Sequence, residues 1–148
     1  MLTDGRRKII FLVEDNLGDI RLIQEALKST AVECDIAIAR DGVDAMSYLR
    51  REAGYENAIR PDLILLDLNL PRKDGREVLA DIKADPELRH IPVVVLTTSR
   101  NEEDIYNSYD LYVNCYISKS RNLRQLFEIV RGIEEFWLET VALPSQNR

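Results

Sequence analysis

The stretch LILLDLNLPRKDG, residues 63–75, opens on four aliphatic side chains and then meets a carboxylate, Asp67. Four apolar residues in a row, with no alternation, predict a strand covered on both faces. Asn69, Pro71, Asp74 and Gly75 then break the chain. An unpartnered charge at the end of a buried strand is costly. Asp67 therefore either caps a neighbouring group or is placed there to do chemistry.

Working outward, the same design recurs. KIIFLV, residues 8–13, is a β-branched apolar run that ends on Glu14-Asp15. IPVVVLTTS, 91–99, ends its apolar run on Thr97-Thr98, and NCYISKS, 114–120, ends on Lys119. CDIAIAR, 34–40, alternates as a half-buried strand should. Between these runs the apolar spacing is helical. Ile20, Ile23 and Leu27, with Leu22 and Ala26 beside them, mark a helix over 18–29. Val43, Met46, Tyr48 and Leu49 mark the apolar side of a second over 41–51, and Val78, Leu79 and Ile82 mark a third over 76–85. Ser99 to Glu102 fits a capping box that opens a fourth helix running to about Tyr109. Ser120 is placed to cap a last helix, with Leu123, Leu126, Phe127, Val130, Ile133 and Trp137 on one stripe. Five strands alternating with five helices predict an α/β fold, a doubly wound parallel sheet of flavodoxin-like (βα)5 type with strand order 2-1-3-4-5. Ligands of such sheets bind beyond the carboxyl ends of the strands.

The 148 residues, 45% hydrophobic and 31% charged, suit one domain with a real core. We read residues 1–148 as a single unit, with a core over about 8–133 and an extended C-terminal helix and tail over about 134–148. A net charge of −6 without a long basic cluster argues against nucleic-acid binding. Cys34 and Cys115 are too few for a disulfide framework and are expected to pack as small hydrophobes. His90 stands alone and is expected on the surface. The sequence shows no membrane-spanning stretch and no signal-peptide pattern, so a cytoplasmic location is expected.

In the proposed strand order, Glu14, Asp15 and Asp67 converge on one rim, together with Thr97 and Lys119. Clustered carboxylates repel, by about 4 kcal/mol for a pair about 4 Å apart at an effective dielectric of 20. A hard divalent cation removes that cost. Magnesium favours oxygen ligands and takes one or two carboxylates beside phosphate oxygens. Asp67 would then be ligand and nucleophile, forming an acyl phosphate. Thr97 would donate to the new phosphoryl group, and Lys119 would pair with it as a point charge.

Four blocks carry a family resemblance: LVEDN at 12–16, LLDLNLPRKDG at 65–75, VVVLTTS at 93–99 and YISKS at 116–120. In order and spacing the chain resembles the receiver domain of two-component response regulators. The resemblance implies that Asp67 is the phosphorylation site. It implies that Asp15 binds Mg2+ directly, Glu14 through water, and Asn69 through its backbone carbonyl. Thr97 and Tyr116 would be the switch pair and Lys119 the phosphoryl-binding lysine. NCYISKSRNL and GIEEFWLETVALP are also similar to the small response regulators that partner cyanobacterial phytochromes. That implies a sensor histidine kinase of phytochrome type as phosphodonor, with protein contact or onward phosphotransfer to a target as output. Ser120 follows Lys119 where most receivers have proline, which leaves the isomer of that bond open.

Three other readings compete with this one. An aspartyl-nucleophile phosphatase needs a second acid two residues after the nucleophile, where this chain has Asn69. A flavodoxin-like cofactor module needs a phosphate-cradling loop, and EDNLGD is acidic. A degenerate receiver acting only as a scaffold would not need the acids, threonine and lysine that are all present. Finally, Tyr106, Tyr109, Tyr112, Phe136, Trp137 and Leu138 offer more apolar surface than one core contact uses. We expect a homodimer through the fourth helix, fifth strand and last helix.

Overall fold

The strands pair where the apolar runs place them. The computed structural model describes residues 7–28, 33–99, 101–119, 123–140 and 144, without the side chains of 123, 134 and 138–140. The strands are β1 (Lys8–Val13), β2 (Cys34–Ala39), β3 (Leu63–Leu66), β4 (Val93–Thr97) and β5 (Cys115–Ser118). They form one parallel sheet in the order β2-β1-β3-β4-β5. The helices are α1 (Leu17–Lys28), α2 (Gly42–Arg50), α3 (Gly75–Ala84), α4 (Glu102–Asp110) and α5 (Leu123–Glu134). Helix α5 runs on into six residues of π-helix, Glu135–Thr140.

Side chains alternate across each strand, and the core divides accordingly. On one face Phe11, Val13, Ile64, Leu66, Val93 and Val95 pack against Met46 and Leu49 of α2 and Val78, Leu79 and Ile82 of α3. On the other, Ile10, Leu12, Leu63, Leu65, Val94 and Leu96 pack against Ile20, Ile23 and Leu27 of α1 and Leu126, Val130 and Ile133 of α5. Both faces of β3 are dry, which explains its unbroken apolar run. Truncating a buried leucine there to alanine would cost about 2–5 kcal/mol. Cys34 and Cys115 are half-buried and pack beside the second cluster, as expected for small hydrophobes.

Two expectations are corrected. Val43, expected on the apolar side of α2, is exposed, because Gly42, Ala45, Met46 and Leu49 form the buried stripe. Helix α4 is capped by Asn101, whose side chain accepts from Glu103 N at 2.8 Å, rather than by a Ser99–Glu102 capping box. The Ser99 hydroxyl is engaged elsewhere, donating to Asp104 at 2.8 Å. His90 is exposed. Ser120, its bond to Lys119 and the Leu138 side chain lie outside the described residues.

The loop between β3 and α3 is tightly held. A Cβ on Gly75 would lie 2.2 Å from the Asp67 carbonyl oxygen, and one on Gly42 would lie 2.0 Å from the Lys73 carbonyl oxygen. Neither approach tolerates a side chain. Gly75 N also donates to Leu68 O at 2.9 Å, which closes the turn directly after Asp67. Among the described residues no helix is long and apolar enough to cross a membrane.

Candidate functional site

Parallel register brings the carboxyl ends of four strands to one rim. Val13 pairs with Leu66 across β1 and β3, and Thr97 with Ser118 across β4 and β5. The next residues along β1, β3 and β5 are Glu14, Asp67 and Lys119. Asp67 N still donates to Val13 O at 3.0 Å, so the sheet ladder fixes the backbone of this acid. The rim expected from sequence is therefore assembled, and much of it is buried. Glu14, Asp67, Thr97 and Lys119 are each less than a tenth exposed, and Asp15 is half-buried.

The Asp67 carboxylate is oriented from two sides. Oδ1 accepts from the Thr97 hydroxyl at 2.7 Å and from Asn69 N at 3.1 Å. Oδ2 accepts from the Lys119 ammonium at 3.3 Å. Lys119 also donates to Glu14 at 2.5 Å and to Asp19 at 2.8 Å. Burial alone would lower the Lys119 pKa, but its bonds to Asp19 and Glu14 hold it above the ordinary lysine range. The Glu14 carboxyl is pushed up to about 7, first by burial and then by the charge of Asp67, with Lys119 opposing. The site is thus short of positive charge.

Glu14, Asp15 and Asp67 each offer a carboxylate oxygen, and the three oxygens lie within 4.8 Å of one another. An all-oxygen donor set with excess negative charge fits a hard divalent cation such as Mg2+. Asn69 itself is exposed at the mouth of the loop. Arg40 steadies the other wall by donating to the Asp15 carbonyl at 3.3 Å.

Tyr116 packs against the first core cluster, and its hydroxyl donates to Ser99 O at 3.1 Å. Tyr106, Tyr109, Tyr112 and Phe136 are exposed, whereas Trp137 is half-buried beside the second cluster with Phe136 edge-on at 5.6 Å. The structure brings the rim residues together, and these aromatic residues are not part of that group.

Sequence reasoning missed Asp19, Arg76 and Asp104, and read Ser99 only as a helix cap. Arg76 grips Asp104 with two bonds, at 2.7 and 2.6 Å, and donates to Asp74 at 3.0 Å. This joins the start of α3 to the first turn of α4. Asp19 carried a faint signal, as an acid in the first turn of α1. Arg76 carried none, because its partner lies 28 residues away.

A family model for the response regulator receiver domain matches residues 10–131. The chain belongs to that family and is a receiver domain of two-component signalling. It is 61% identical over 138 residues to response regulator Rcp1 of Synechocystis, spanning 93% of this chain and 94% of that protein. Among solved structures it is similar to the phosphorylated cyanobacterial phytochrome response regulator RcpA, with a TM-score of 0.92 and 68% identity, over 95% of this chain and all of that one. The Mn(2+)-bound form of Rcp1 matches with a TM-score of 0.91 and 61% identity, over 93% of this chain and 99% of that one.

Proposed function

We propose that this chain is a response regulator that accepts a phosphoryl group on Asp67, with Mg2+, from a sensor histidine kinase of phytochrome type. One observation carries the reading. The Asp67 carboxylate is buried at a strand end with Thr97 on one oxygen and Lys119 on the other, beside two further acids. In the transfer, the P–N bond of a kinase phosphohistidine breaks and an O–P bond to Asp67 forms. The imidazole leaving group takes up a proton. Mg2+, when bound, neutralises the phosphoryl oxygens as they approach the acids. Asp15 and Asp67 would hold it directly, Glu14 through water and Asn69 through its carbonyl. Thr97 donates to the phosphoryl oxygens and Lys119 pairs with them. The same site supports self-phosphorylation from small phosphodonors and later hydrolysis of the acyl phosphate.

The phytochrome partner is supported by the similarity to Rcp1 and RcpA. A cytoplasmic location goes with such a kinase. The output is a changed α4–β5–α5 surface, with Tyr116 as the second switch residue. Tyr106, Tyr109, Tyr112, Phe136 and Trp137 lie on the face through which the chain pairs with a second copy or a target. The phosphatase alternative is disfavoured because Asn69 contributes only its backbone N–H to Asp67 and has no acid to offer. Incubation with acetyl phosphate and Mg2+, followed by intact mass and peptide mapping, tests the reading. One added phosphoryl group on Asp67 is expected.

A further inference from the structure

We propose that Asp19 positions Lys119 for the phosphoryl group on Asp67. The inference rests on Asp67 being the phosphoacceptor, and it begins at the start of α1. Asp19 is the third residue of that helix, where an acid ordinarily bonds back to the N–H of the cap residue. Here that N–H, on Asn16, already donates to Glu14 Oε2 at 3.2 Å. The Asn16 side chain in turn accepts from Asp19 N at 2.9 Å. The helix end is satisfied without the Asp19 carboxylate, which reaches across to Lys119 Nζ at 2.8 Å.

An ammonium group has three protons, and Lys119 has three acceptors: Glu14, Asp19 and Asp67. Two of these change during the reaction. Asp67 turns from a carboxylate into an acyl phosphate, and Glu14 faces the cation with Asp15. Asp19 is neither the phosphoacceptor nor part of the three-acid group. It is the acceptor that stays. A lysine is a point charge on a flexible four-carbon stem, so one constant partner decides where its ammonium waits. Lys119 is shared among Glu14, Asp19 and Asp67, so it offsets only part of the Asp19 charge. Removing that charge would ease the approach of a phosphodonor, so a slower rate in a neutral Asp19 variant reports lost orientation.

The test is the initial rate of phosphoryl gain from acetyl phosphate with Mg2+, read by intact mass. Asp19→Asn keeps the side-chain shape and the backbone cap, and is expected to fold and to slow labelling about tenfold. Asp19→Glu restores most of the rate. Combined with Lys119→Ala, Asp19→Asn causes no further loss, whereas a merely structural acid would add its own. Wild-type rates in Asp19→Asn, or the same factor lost with and without Lys119, overturn the positioning role. Wild-type protein that gains no phosphoryl group, or gains it elsewhere than Asp67, overturns the phosphoacceptor reading and the inference with it.

Discussion

The Thr97 hydroxyl donates to Oδ1 of Asp67 at 2.7 Å, and Thr97 is fully buried. The next links lead outward. Ser99 N donates to Thr97 Oγ1 at 3.4 Å, and the Ser99 carbonyl accepts from the Tyr116 and Ser118 hydroxyls at 3.1 and 3.3 Å. If Asp67 is the phosphoacceptor, as proposed, its carboxylate oxygen gives way to a phosphoryl oxygen and Thr97 is expected to follow it. The Ser99 backbone and Tyr116 are then expected to move with it, as a bias between two packings of one loop.

Thr97→Ala is therefore expected to accept phosphate yet respond poorly. Chemical shifts of Glu102–Asp110 and Cys115–Ser118, compared before and after phosphorylation, measure this. Changes as large in the variant as in the wild type contradict the coupling.

Millimolar Mg2+ is expected to raise the melting temperature, because it relieves repulsion among Glu14, Asp15 and Asp67. Binding to the folded state alone adds about 2.7 kcal/mol at a hundredfold excess over Kd. Asp15→Asn removes one charge and shrinks the shift. A melt that ignores Mg2+ counts against the cation site.

The Arg76–Asp104 pair gives a pH signature. The guanidinium hydrogen bonds hold the Asp104 carboxyl down to about 2, well below its ordinary value of 3.8. A depressed carboxylate adds stability above its unfolded pKa and loses it as pH falls through the folded one. The window is thus roughly pH 4 down to 2. Arg76 is 40% exposed, so solvent screening leaves about 1 kcal/mol of this contribution. Asp104→Asn should lose that amount at neutral pH and show a shallower acid limb in urea titrations. Equal slopes for variant and wild type below pH 4 would remove the pair from the account.

Tyr106 and Tyr112 are 72% and 81% exposed on and just after α4. Exposed aromatic residues of this kind suit an interface. Sedimentation at micromolar concentration is expected to show a dimer that Tyr106→Ser and Tyr112→Ser weaken, with labelling of Asp67 spared. A monomer with and without phosphate refutes the homodimer.

The sheet order and the rim were legible because they rest on local patterns. Apolar runs ending on Asp15, Asp67, Thr97 and Lys119 report both the strand and its terminus. What stayed hidden depends on distance in the chain. Asp62 and Asp67 flank the same strand and are both buried, yet the Asp62 carboxylate accepts from Ile9 N at 2.9 Å, at the opposite end of the strand from the rim. Nothing in residue type separates these two acids; their neighbours in space do. Ser99 looked like a helix cap because serine suits caps, but Asp104 competes for its hydroxyl and Asn101 takes the role. Asp19 escaped the sequence reading because its partner, Lys119, lies 100 residues away.

The most direct measurement is the mass of Asp67→Asn protein after incubation with acetyl phosphate and Mg2+, beside the wild type. The amide keeps the shape of the carboxylate but is not nucleophilic. The fold, checked by the thermal melt, should survive. The wild type should gain one phosphoryl group that maps to Asp67, and the variant none. A folded Asp67→Asn variant that gains the same group as fully as the wild type would contradict the account.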